Sequence, residues 1–164
     1  MRYCVMAQLH RADAEPDAVD VQTKVDIQLR RRIFWTTYVL DRAVGTMFDL
    51  PFCIPDYQIT VKMYANIDDT ELYQRCQAAF PDDPASQACY TGTSAALHVV
   101  YCRQIQSEIL NTTLHRDFDE CFDKQPNWRR HILEKLDRWK TLVHRYTNPQ
   151  SGLYMAQEYW FQMI

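Results

Sequence analysis

The stretch from Thr23 to about Phe48 constrains the fold more than any other part of the chain. Its apolar residues recur at helical spacing, and at 1.5 Å per residue the helix would be roughly 37 Å long. Two stripes run along it. One holds Ile27, Phe34, Tyr38, Gly45 and Phe48; the other holds Val25, Leu29, Ile33, Leu40, Val44 and Met47. A helix apolar on two faces is expected to be covered on more than one side, near the middle of a bundle. Thr23 reads as its N-cap, with Asp26 three positions on. Pro51 and Pro55 end it and force an extended path over residues 49–64, in which Ile59, Val61 and Met63 alternate with polar residues as a very short edge strand would.

The rest of the chain is also helical in pattern. Residues 1–9 carry Val5, Met6 and Leu9 at helical spacing, and residues 10–22 form a polar loop around Pro16. A short helix is expected over Asp69–Ala79, and Pro81-Asp82-Asp83-Pro84 reads as a turn. Another helix spans about Thr93–His115, with Leu97, Tyr101, Ile105 and Ile109 every four residues and Val100 beside them. The next spans about Trp128–Thr147. Trp128, Ile132, Leu136, Trp139, Val143 and Tyr146 form its apolar face, and Glu134 is placed to pair with Arg138 one turn away. Asn148-Pro149 ends it, and a last helix opens after Gly152 with Leu153, Ala156, Trp160 and Met163 on one face. The end helices show no caps, so the chain reads as one domain, residues 1–164, cut from something longer. The fold class is all-α: an irregular helical bundle with one long central helix and a proline-containing extended segment after it.

Composition narrows the function. With 164 residues and 47% hydrophobic content the chain is long enough to bury roughly 70% of its unfolded surface. Only 3 glycines are present, which argues against a turn-rich β fold. The net charge of −3 does not suit a phosphate grip on nucleic acid. Arg30-Arg31-Arg32 lies within a helix, so the three side chains point about 100° apart; some are expected to be solvated and at least one to pair with a carboxylate. No run is apolar enough to cross a membrane; the uncharged stretch Pro84–Cys102 is interrupted by seven polar or glycine positions.

Nothing in the sequence assembles a catalytic centre. The six cysteines, Cys4, Cys53, Cys76, Cys89, Cys102 and Cys121, come no closer than 13 residues, whereas zinc clusters need Cys-x2-Cys pairs. They read as reduced thiols acting as small apolar groups. His115-Arg116-Asp117 spells the start of a kinase catalytic loop, but the position that should hold the magnesium-binding Asn is Phe122. Asp68-Asp69-Thr70-Glu71-Leu72 partly matches the acidic magnesium motif of terpene cyclases, and the plainer reading is an acidic first turn of a helix. Asp41, amid apolar neighbours, needs a partner if buried, which suggests an Arg–Asp pair between helices inside the bundle.

Residues 30–63, RRRIFWTTYVLDRAVGTMFDLPFCIPDYQITVKM, resemble the core motif of the fungal-specific transcription factor domain, the middle homology region of zinc-cluster activators. Arg31, Arg32, Phe34, Trp35, Tyr38, Asp41, Arg42 and Pro51 fall where that motif has them, as do Ile33, Ile54 and Asp56. Leu9-His10-Arg11 sits where the family carries Gly-Leu-His-Arg. The chain departs at Gln8 and Asp49, where Gly is usual, and at Tyr64, where Pro is; Asp tolerates a left-handed backbone better than most residues, so the turn at Asp49 should survive.

The resemblance implies a regulatory domain of a nuclear transcription factor that does not itself touch DNA and contributes to control of RNA polymerase II transcription. It implies no catalytic or cofactor-binding residues in this chain. Zinc and DNA would belong to an N-terminal cluster outside it, and partners would be a second copy, other transcription factors or a small-molecule effector. Two alternatives stand beside it: a small helical enzyme of the terpene-cyclase type, and a stand-alone helical interaction module.

Overall fold

The computed structural model describes residues 1–81, 90–113, 123–148 and 150. Among these, five α-helices and no strand are present: α1 (Arg2–Met6), α2 (Val21–Phe48), α3 (Asp69–Ala78), α4 (Ser94–Thr113) and α5 (Pro126–Thr141). The all-α expectation holds. The last helix expected after Gly152, the turn at 82–84 and the 115–117 triplet lie outside the described residues.

Helix α2 organises the rest. It starts three residues earlier than the sequence suggested: Asp20 is the N-cap, accepting from Thr23 N–H at 2.8 Å and from the Thr23 hydroxyl at 3.1 Å. A carboxylate at the positive end of the helix dipole is a better cap than a hydroxyl, so Thr23 becomes part of the first turn. The capping N–H holds the Asp20 carboxyl below its ordinary value. At the other end Asp49 takes the left-handed conformation, φ 51°, and Leu50 N–H closes on Gly45 C=O at 2.9 Å. Gln8 is also left-handed, φ 54°. Both positions where the family motif carries glycine thus adopt the backbone that glycine favours.

Three apolar clusters hold the helices. Phe34, Trp35 and Tyr38 of α2 pack with Cys4 of α1, Val61 and Tyr64 of the extended segment, and Leu97 and Val100 of α4. Val99, Cys102 and Ile105 of α4 pack on Trp139 of α5. Leu72 and Cys76 of α3 close on Ala65 and Ile67, against Val21 and Val25 of α2. Helix α4 therefore lies between α2 and α5.

The stripe through Ile27, Phe34, Tyr38 and Gly45 is buried as expected, but Phe48 is exposed. Beyond Val25, which packs against α3, the second stripe is not covered. Leu29, Ile33, Leu40, Val44 and Met47 are all exposed, Ile33 by 54% and Leu40 by 61%. Helix α2 is thus covered on one side, and the expectation of a helix enclosed in mid-bundle is corrected. Gly45 sits where the chain after α2 folds back: a Cβ there would lie 2.7 Å from the Phe52 ring and 3.1 Å from Leu50 C=O.

Residues 54–67 run antiparallel to α2, extended apart from a 3-10 turn at Asp56–Gln58, without pairing to any strand. A lone extended backbone must find hydrogen bonds elsewhere, and α2 supplies them at successive turns. Arg42 donates to Ile54 C=O at 2.8 Å, Trp35 Nε1 to Lys62 C=O at 2.9 Å and Arg32 to Ile67 C=O at 2.7 Å. Gln28 accepts from Ala65 N–H at 2.8 Å. The edge strand suggested near Ile59–Met63 is instead tethered to the N-terminal loop, with Thr60 and Val61 N–H both directed at His10 C=O.

The helix expected from Trp128 begins two residues earlier, at Pro126, whose fixed φ and missing N–H suit the first helical position. It ends at Thr141 and continues only as a 3-10 turn, Val143–Arg145.

Candidate functional site

The motif residues form an internal fastener and not a surface patch. Arg42 is completely buried. Its Nε donates to Ser107 Oγ at 3.0 Å, Nη1 to Asp41 at 2.5 Å, and Nη2 to Asp56 at 3.0 Å as well as to Ile54 C=O. Its guanidinium carbon lies 4.2 Å from the Tyr38 ring centroid and 4.3 Å from that of Phe52. A delocalised, weakly hydrated cation can be buried in this way because every face and edge meets an acceptor or a ring. Asp41 does meet an arginine, but not between helices as expected: its partner is Arg42, the next residue of α2, and the pairing that crosses the fold is Arg42 with Asp56. Asp41 also receives Cys53 N–H at 3.3 Å, and that carboxylate pushes the exposed Cys53 thiol up.

Asp56 is the second half of the fastener. It accepts from Tyr38 Oη at 2.8 Å, from Asn111 at 3.0 Å, from Arg42, and from the Ser107 hydroxyl. Burial pushes its carboxyl up, but the Ser107 and Tyr38 hydroxyls and the Arg42 guanidinium outweigh this and hold it below the usual carboxylate value. Desolvation raises the Tyr38 phenol. One carboxylate therefore ties α2, the extended segment and α4 together.

The remaining motif residues have comparable tasks. Arg31, also buried, makes a two-pronged pair with Glu15, both bonds 2.7 Å, and anchors the N-terminal loop. Arg32 pairs with Asp69. Phe34 and Trp35 fill the core with ring centroids 5.3 Å apart. Pro51 is exposed beyond the helix end. Sequence reasoning missed Gln28, Glu15, Ser107 and Asn111. Gln28 had a signal, since it precedes Arg31, Trp35, Tyr38 and Arg42 on the same face at steps of three and four; Ser107 and Asn111 had none, being 65 and 55 residues from their partners.

Beside the fastener lies a cavity of about 820 Å³, with walls from Trp35, Asp56, Tyr101, Arg138, Trp139 and Tyr146 among others. His98 lies between Trp139 and Tyr146, with centroids at 4.5 and 4.9 Å and planes within 7° and 19° of parallel. Trp139 Nε1 donates to His98 C=O at 2.9 Å. Burial pushes the His98 imidazole down to about 4. Glu108 on the same wall meets His131 at 2.9 Å and Lys135 at 2.5 Å.

The acidic magnesium motif does not converge. Asp68 accepts from Gly92 N–H at 2.6 Å, Asp69 faces Arg32, and Glu71 pairs with Arg75. No metal-holding group of His, Cys, Asp and Glu occurs among the described residues. The described cysteines lie apart, Cys4, Cys76 and Cys102 in three different apolar clusters and Cys53 at the surface, so these residues do not fit a zinc cluster. No described helix is long and apolar enough to cross a membrane.

The family model for the fungal specific transcription factor domain matches residues 1–141, which hold the fastener and most of the cavity wall. The chain is also similar to the Pyrimidine pathway regulatory protein 1 of Saccharomyces cerevisiae, 28% identical over 116 residues. That alignment covers 68% of this chain and 13% of the relative, so the chain spans a small part of the curated protein it matches. No solved structure matches. Through the matched 141 residues and the motif that fastens α2 to the segment after it, the chain belongs to the fungal-specific transcription factor domain family.

Proposed function

We propose that the chain is the regulatory, non-DNA-contacting module of a nuclear transcription regulator acting on RNA polymerase II genes. The observation that carries this reading is the inward use of the motif arginines. Arg31 and Arg42 are buried and Arg32 is paired, so the motif arginines offer no row of free cations to phosphates. In this reading DNA contact and zinc belong to a cluster outside these 164 residues, and no catalytic step is assigned to the chain. The test has two arms. The isolated chain should not retard duplex DNA at about 10 μM and low salt, where non-specific binders do. Placed between a heterologous DNA-binding domain and an activation domain, it should change reporter output relative to an inert linker of equal length. Retardation of DNA, or a reporter indifferent to the chain, contradicts the reading.

A second reading, a helical protein-interaction module, draws support from the uncovered stripe Leu29, Ile33, Leu40, Val44 and Met47. Partner capture that fails when Ile33 and Leu40 become lysine is its test.

A further inference from the structure

The cavity beside Arg42 and Asp56 has a charge pattern that specifies its occupant. Its wall includes two carboxylates, Asp56 and Glu108, and two cations, Lys135 and Arg138, beside His98, which burial keeps neutral. Three of the four are already paired with an opposite charge. Asp56 faces Arg42, while Glu108 and Lys135 face each other. Arg138 is not. The sequence places Glu134 one turn away as its partner, yet no such pair forms. Among the described residues the Arg138 guanidinium meets no carboxylate and lines the cavity instead. A guanidinium whose donors meet no carboxylate among the described residues, set beside aromatic walls, favours an anion, and its flat fork suits a carboxylate.

The rest of the wall is ring-rich. Trp35, Tyr101, Trp139 and Tyr146 line it. Trp139 and Tyr146 are held in place by stacking on His98, and Tyr101 meets Tyr146 edge-on at 6.2 Å. Rings locked before binding lose little freedom when a flat ligand arrives. A volume of about 820 Å³ exceeds what one small ring fills and lies within the usual range for ligand pockets.

We propose that this cavity binds an organic carboxylate with an aromatic body of two or three fused rings, its carboxylate on Arg138 and its rings against Tyr101, Trp139 and Tyr146. The inference gives the proposed regulatory module the chemistry of its effector. It rests on that reading only for what binding would do, not for the binding itself.

Calorimetric titration of the full 164-residue chain with 2-naphthoate, and with neutral 2-naphthalenemethanol, tests it. Naphthoate should bind at submillimolar concentration, and the neutral compound about tenfold more weakly. Arg138→Gln should weaken naphthoate about tenfold and leave the neutral compound unchanged. Arg138→Lys should fall between, and Arg130→Gln on the same helix should have no effect. Arg138 and Arg130 are both exposed, so these variants keep the fold. The proposal is overturned if naphthoate does not bind at about 5 mM, well above the affinity expected of even a small ligand. It is equally overturned if both compounds bind alike, or if Arg130→Gln costs as much as Arg138→Gln. A reporter indifferent to the chain would overturn the regulatory reading and leave this binding result standing.

Discussion

Arg42 and Asp56, 14 residues apart, meet at 3.0 Å through Nη2 and Oδ1, and the arginine has no solvent exposure. The pair is not an isolated charge couple. Ser107 of α4 bridges it, accepting from Arg42 Nε and donating to Asp56, and Tyr38 donates to the same carboxylate. Removing one partner of a fully buried pair typically costs about 3–5 kcal/mol; here the cost should lie below that, because Asp56 is 38% exposed and Arg42 retains Asp41 as a counter-ion. The motif spacing follows from this geometry: side chains at 28, 31, 35, 38 and 42 lie on one helix face and reach one neighbouring segment.

Gly45 is held to glycine by the Phe52 ring. Alanine is the better helix former by about 1 kcal/mol, but its Cβ would sit 2.7 Å from two Phe52 carbons. Gly45→Ala should therefore destabilise by about 1–3 kcal/mol. Pairing it with Phe52→Leu should recover part of the loss. Urea midpoints of the two variants check this.

Gln8 and Asp49 carry side chains where the backbone is left-handed. Gln8→Gly should raise stability by about 1 kcal/mol, and Asp49→Gly by less, because aspartate tolerates this region better than glutamine. Thermal unfolding of each variant measures the order; a loss at both positions would contradict the assignment of these turns.

Exposure of the second α2 stripe makes neighbouring positions behave oppositely. Ile33→Lys should change stability by no more than about 0.5 kcal/mol. Phe34→Ala, one residue on and fully buried, should cost about 3–5 kcal/mol. If Ile33→Lys unfolds the chain, that face is covered in solution.

His98 makes stability depend on pH. Its imidazole titrates at about 4 in the fold and near 6.5 when free. Between these values the unfolded chain binds a proton that the folded chain does not, so stability falls as pH drops from about 6.5 to 4, by up to about 3 kcal/mol. Urea unfolding across that window should show the slope in the native chain and a flatter one in His98→Phe.

How much was legible in the sequence depended on the range of the interaction. Helix periodicity and proline stops are local, so the all-α fold, α2 and its buried stripe were readable, as was the left-handed turn at Asp49. Periodicity records which side chains are apolar, not which are covered, and so the Leu29–Met47 stripe was read as buried. Helices α2 and α5 start earlier than periodicity indicates because Asp20 and Pro126 offer better first-turn chemistry than Thr23 and Trp128. The motif located Arg42, and Asp56 fell within it. Their convergence on Ser107 and Asn111 depends on the packing of α4, which no local pattern encodes. Arg138 shows the reverse error: an i,i+4 carboxylate was available on the helix surface, yet the guanidinium lines the cavity.

The central claim is that the family motif is an internal fastener joining α2 to the segment after it. A double-mutant cycle on Arg42→Leu and Asp56→Asn, measured by urea unfolding, tests it most directly. The account predicts a coupling energy of at least about 1.5 kcal/mol, with each single change costing more than half of what both cost together. Additive losses with no coupling would contradict it.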